Sequence, residues 1–150
     1  MKKYKFKLQG LLKLREFREH QEKLNLSKIN KEIVRINDLI DKANVDIKIA
    51  YESADKLIEQ GMDGQMISFY PMFIKSKREL IAQLEAQLTT LHQGHKVQVM
   101  TLAHHRGEVK VIENMKEKEL SKYKKEQEKK TQEKIDDILM ARKAIEMGET

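Results

Sequence analysis

The chain has 150 residues, 36% of them charged, with one proline, no tryptophan, 5% aromatics and a formal net charge of +6. That mixture is poor in the aromatic, glycine and turn residues of a compact core domain and suits long solvated helices. The absence of cysteine excludes a disulfide framework and a cysteine zinc site.

The charge is concentrated at the start. Residues 1–18 hold seven Lys or Arg and one Glu, while the rest of the chain carries 23 basic and 23 acidic residues. A basic end on an otherwise neutral molecule points to an acidic partner there. A nucleic-acid binder would spread its basic residues along the molecule, so that class is an alternative and not the main reading. The basic opening lacks the apolar block and cleavage pattern of a secretory signal, and no apolar run reaches the ~20 residues of a membrane span. The expectation is a soluble, cytoplasmic protein.

Residues 5–60 are expected to form the first helix. Its organising stretch is Ile29, Ile33, Ile36, Ile40, Ala43, Ile47, Ala50, Ala54 and Leu57, where steps of four and three alternate and every position is apolar. This is a coiled-coil seam, a stripe too narrow to wrap a globular core, and it demands a second helix of similar length. Counting the same steps back gives Leu26, Glu22, Glu19, Arg15, Leu12 and Leu8. Phe17 and Leu24 lie on another stripe, so a shift of the seam is expected near His20–Leu26, with loose packing opposite it around His104 to Gly107.

The break comes at Gln60-Gly61-Met62-Asp63-Gly64. Gly61 suits the left-handed residue just past a helix, and Asp-Gly suits a tight turn. A turn over 61–66 makes its flanking helices antiparallel neighbours. Ser68 would cap the second helix, with Pro71 in its first turn.

The second helix is expected over 67–146. Ile67, Tyr70, Ile74, Lys77, Ile81, Leu84, Leu88, Leu91, His95, Gln98, Leu102, His105, Val109 and Ile112 form its seam without a break in step. Folding back at Gly64 would set Ile40 against Leu88, Ile47 against Ile81 and Leu8 against Leu120. The last ~20–25 residues then extend past the end of the first helix, given the common helical rise per residue. Ile135, Ile138, Leu139 and Ile145 make that overhang amphipathic, which favours docking. The fold class is therefore all-α: one long antiparallel two-helix coiled-coil hairpin with a C-terminal helical overhang, a single domain over 1–150.

Little in the chain carries chemistry. There is no phosphate-binding glycine loop, nucleophile elbow or zincin pattern. His92 and His95 could share a metal, but a histidine-containing seam accounts for them, and Asp136–Asp137 reads as a solvated face. The chain is expected to be no enzyme and to use no cofactor, metal or small-molecule substrate. One feature exceeds a plain hairpin. Met66, Phe69, Phe73 and Leu80 each precede a seam residue and form a second apolar stripe, which one partner helix cannot cover. It is expected to bind another protein.

The pattern Phe6-x-Leu8-Gln9-x-x-Leu12-x-x-Arg15, the long helical hairpin, and Tyr70-x-x-Phe73-Ile74 leading into a charged helix together resemble the flagellar export protein FliJ family. The resemblance implies a cytoplasmic component of the type III export apparatus, peripherally associated with the inner membrane and similar to the stalk of rotary ATPases. It implies three kinds of partner: the hexameric flagellar export ATPase, the export gate protein FlhA and export chaperones. Phe6, Leu8, Leu12 and Arg15, with the basic Lys13 and Arg18, would lie at the ATPase end. Phe73, Leu80 and Leu84, continuing the stripe of Met66 and Phe69, would face the gate; Lys77 stands where the family often has an apolar residue. The alternative class is a structural or scaffold coiled-coil adaptor of a secretion system.

Overall fold

A computed structural model describes residues 3–61 and 64–148, apart from the side chains of Gln65 and Met66. Among these residues there are three helices: α1 (Gln9–Glu59), the short α2 (Gly64–Ile67) and α3 (Phe69–Gly148). The two long helices form an antiparallel hairpin. Their contacts fall into two units, residues 20–103 and residues 3–19 with 104–148.

In the first unit the apolar seam is closed. Ile36 is 1% exposed, and Ala43, Ala50, Ile74, Leu84 and Leu102 are also buried. Ile29, Ile33, Ile40 and Ile47 lie half-buried between them on the same stripe. Small Ala43 and Ala50 lie nearly covered among larger branched residues, as expected where two helix backbones approach closely. Helix α1 ends as its sequence suggests. Gly61 has φ 71°, and its N–H donates to the Ile58 carbonyl at 3.1 Å. A left-handed residue there accepts no side chain without strain. The expected Asp63 turn residue lies outside the described residues. Ser68 immediately precedes α3 and Pro71 sits in its first turn, where a missing N–H breaks no helical bond.

The fold-back centres nearer Gly61 than Gly64, because Gly64 opens a turn of helix instead of forming the corner. Facing residues are therefore offset by about one helical turn from the register read from the sequence. Lys77 pairs with Asp46 at 3.1 Å, and Lys116 in the second unit donates to Gln9 at 3.0 Å, where Leu12 had been the expected neighbour.

The second unit departs most from expectation. Helix α1 begins at Gln9, not at residue 5. Residues 3–8 alternate Lys3-Tyr4-Lys5-Phe6-Lys7-Leu8, and a period of two places alternate side chains on opposite sides of an extended chain. The exposures alternate in that way, although residues 7–8 already turn into the helix: Lys3, Lys5 and Lys7 are exposed, while Phe6 is buried in a cluster with Leu12, Val109 and Ile112. Tyr4 and Leu8 pack against the cluster, and the Tyr4 ring lies 5.4 Å from that of Tyr123. Past Gln127, residues 128–148 of α3 are exposed throughout.

The expected shift of the seam near His20–Leu26 does not occur. Arg15, Glu19 and Glu22 occupy the seam half-buried, whereas Phe17 is 58% and Leu24 44% exposed. Helical continuity outweighs the gain from turning two apolar side chains inward, because the seam polar groups find partners. The Arg15 guanidinium donates to the Glu108 carbonyl at 3.1 Å, and Arg106 lies 3.4 Å from Glu19. In the other unit Gln98 donates to the Glu22 backbone carbonyl at 3.0 Å and also to its carboxylate. His105 is the exception: its enclosed Nδ1 has no hydrogen-bond partner, with a Glu108 oxygen 3.7 Å away. Helix α3 runs through Gly94 and Gly107 without a break.

Candidate partner-binding surfaces

Two surfaces carry the residues singled out in the sequence. The first is the basic end of the second unit. The Tyr4, Phe6, Leu8 row holds residues 3–8 against the hairpin, and the alternation turns Lys3, Lys5 and Lys7 outward. Lys13 and Arg18 are exposed on α1. The Tyr4 hydroxyl donates to Glu119 at 3.4 Å. Withdrawal from water raises the Tyr4 pKa above its ordinary value, and the neighbouring Glu119 carboxylate adds to the shift. What this end presents to a partner is thus a set of cations on a fixed scaffold.

The apolar residues assigned to this end have a different place. Phe6 is 7% and Leu12 3% exposed, and Leu8 is packed against their cluster. Arg15 is half-buried and engaged with the Glu108 carbonyl. These four residues build the surface, while Lys13 and Arg18 are accessible from outside. The alternation of Lys with Tyr, Phe and Leu was the signal for Phe6 and Leu8, and the steps of three and four were the signal that puts Leu12 and Arg15, but not Lys13 and Arg18, in the seam.

The second surface lies where α3 starts. Phe69 is 63% exposed; its ring stacks at 6.1 Å on Phe73 and meets Tyr70 edge-on at 5.9 Å. Asp46, Ile49, Ala50, Ser53, Phe69, Tyr70 and Phe73 line a groove of about 190 Å³. Met72 and Ile58 add exposed apolar surface. Lys77 fits its seam position by pairing with Asp46 and by holding its ammonium 5.4 Å from the Phe73 ring centre. Leu80 is 40% exposed, but Leu84 is 6% exposed and serves the seam. The Met66 side chain lies outside the described residues. The sequence reading missed Ile49, which the pairing of the two arms brings into the groove, and the exposed Met72 and Ile58.

His92 is exposed and His95 half-buried in the seam, and among the described residues no three His, Cys, Asp or Glu side chains are grouped to hold a metal ion. Asp136 and Asp137 are exposed. No described helix is long and apolar enough to cross a membrane.

A long antiparallel helical hairpin with exposed basic and aromatic surfaces and an overhanging helix defines a coiled-coil interaction protein. The family of the flagellar FliJ protein matches residues 4–146, nearly the whole chain, and the chain belongs to that family. Membership makes it a coiled-coil component associated with flagellar protein export. No curated protein and no solved structure matched the chain.

Proposed function

We propose that this chain is a stalk-like coupling component of the flagellar type III export apparatus. Its basic end engages the hexameric export ATPase, and its aromatic patch contacts the export gate protein FlhA, linking ATP hydrolysis to protein export. In this reading the protein works in the cytoplasm, against the inner-membrane face of the apparatus, and export chaperones are further partners.

The observation that carries the reading is the exposed row of Lys3, Lys5 and Lys7, with Lys13 and Arg18, on a scaffold of buried aromatic and aliphatic residues in a chain of this family. Cations held on a rigid support favour fast, salt-sensitive docking on an acidic or carbonyl-lined ring. Reversal of Lys13 and Arg18 to Glu tests it, because both are exposed and leave the packing intact. Stimulation of the ATPase should require several-fold more of the variant, and the deficit should shrink as salt screens the charges. Unchanged stimulation would discard the basic end as the ATPase contact. Phe69→Ala should separately weaken gate binding and spare the ATPase.

A further inference from the structure

We propose that the overhang of α3 pairs antiparallel with the overhang of a second copy of this chain, about a two-fold axis near Met140. Four apolar residues lie there on one side of an exposed helix: Ile135 (45% exposed), Ile138 (57%), Leu139 (54%) and Ile145 (64%). At about 100° per residue they span roughly a third of the circumference, the width of one helix-facing stripe. Among the described residues the segment that packs on α3 reaches Tyr4, beside Tyr123, and none is set against the overhang.

The occupant is identified by the order of the side chains about the centre. Ile135 and Ile145 are each five positions from Met140, so an antiparallel copy sets Ile135 of one chain against Ile145 of the other, twice by symmetry. Leu139 meets its own counterpart beside the axis. Asp136 and Lys143 lie on the same flank of the stripe, four positions before and three after the centre. The antiparallel copy keeps the two flanks on the same side and brings opposite charges together there, whereas a parallel copy would leave them on opposite sides of the interface, with neither pair in reach. Arg142 and Glu146 also fall within the stripe, and each contributes its aliphatic stem. Within the chain, Asp136 accepts one bond from Gln132 at 3.1 Å, and no salt bridge among the described residues uses Asp136 or Lys143.

The described residues fit the same register. With the centre at Met140, residue 148 of one copy reaches residue 132 of the other. It stops short of Gln127, the last half-buried residue of the paired arms, so neither first helix obstructs the other copy. The contact is about 25 Å long and lies at or below the low end of specific interfaces, so a weak dimer in the micromolar range is expected. Pairing covers the apolar face of the overhang and withholds it from any other partner. The inference stands apart from the proposed ATPase contact, since it concerns the chain alone.

Sedimentation equilibrium of the full chain from about 5 to 500 µM tests it across that affinity range. The wild type should pass from one chain to two. Asp136→Lys and Lys143→Glu should each weaken the dimer about tenfold, since each turns two attractions into two repulsions, and an equimolar mixture of the two should recover wild-type association. Leu139→Asp should abolish it, with helical content measured by circular dichroism as the control for folding. A wild type that stays monomeric at the highest concentration overturns the proposal. So does a mixture no tighter than its components, or a dimer that survives Leu139→Asp.

Discussion

The seam of α1 has two characters. From Ile29 to Leu57 every position is apolar; Ile36, Ala43 and Ala50 are buried, Ile36 to 1% exposure, and the others are half-buried. From Leu8 to Leu26 the stripe reads Leu, Leu, Arg, Glu, Glu, Leu, and polar groups replace packing. Arg15 reaches the Glu108 carbonyl, Glu19 meets Arg106, and Glu22 receives Gln98. The difference teaches that a coiled-coil register does not require apolar residues at every step. It requires that each side chain turned inward find either contact or a partner. The apolar stretch stabilises, while the polar stretch is weak as a stabiliser and strong as a specifier, because only one alignment of the arms satisfies those groups.

The sharpest way to break this comparison is in the apolar stretch. Ile36→Ala should cost about 3 kcal/mol in urea unfolding, the usual scale for emptying a filled core site. The control is Val34→Ala, two residues away and 58% exposed, which should stay within about 0.5 kcal/mol. Equal losses at both positions would mean the seam is not where stability resides.

Next comes the anchor of the basic end. Phe6→Ala removes the largest member of the cluster with Leu12, Val109 and Ile112. The expected loss is about 2 kcal/mol, below the value for a central core site because a chain end can open locally. Amide exchange should accelerate in residues 9–15 and remain unchanged in residues 30–50. A uniform change would show that the end does not open on its own.

A smaller effect separates the two kinds of seam position. Arg15→Ala should cost about 1 kcal/mol by leaving the Glu108 carbonyl without its side-chain donor. Arg15→Met, which restores apolar contact, should recover stability and lose specificity instead. If Met were as damaging as Ala, the arginine would be stabilising through charge, contrary to the account above.

The smallest effect lies outside the seam. Glu32 and Arg35 are exposed and bonded at 2.9 Å. The hydrogen bond from Arg35 is the main reason the Glu32 pKa lies below its ordinary value, with the guanidinium charge acting in the same sense. A carboxylate whose pKa is lowered by folding adds stability above its unfolded value, and that stability is lost as pH falls through the lowered one. A carbon-detected NMR titration should place the Glu32 midpoint below that of a free glutamate, and Arg35→Ala should move it up. An unmoved midpoint would assign the shift to another cause.

Much of the fold was legible because helical periodicity is a local property. Alternating steps of three and four place Ile29 through Leu57 on one stripe whatever else the chain does, and the α3 seam from Tyr70 to Ile112 follows by the same count. Gly61 marked the helix end because left-handed backbone favours the residue without a Cβ. The candidate surfaces were less legible. Phe6, Leu12 and Leu84 are apolar and sit near basic or aromatic neighbours, and composition cannot distinguish a residue that meets a partner from one that supports those that do.

The amino-acid order by itself determined the helical class, the end of the first helix at Gly61, the basic end and membership of the flagellar FliJ family, since each rests on spacing or residue type along the chain. Tertiary structure decided that Arg15, Glu19 and Glu22 stay in the seam, that residues 3–6 lie outside the helix and residues 7–8 turn into it, and that Lys13 and Arg18 face outward while Phe6 and Leu12 do not. The physical reason is that burial and hydrogen-bond satisfaction belong to pairs of distant residues. Arg15 can remain inside only because the Glu108 carbonyl is there to receive it.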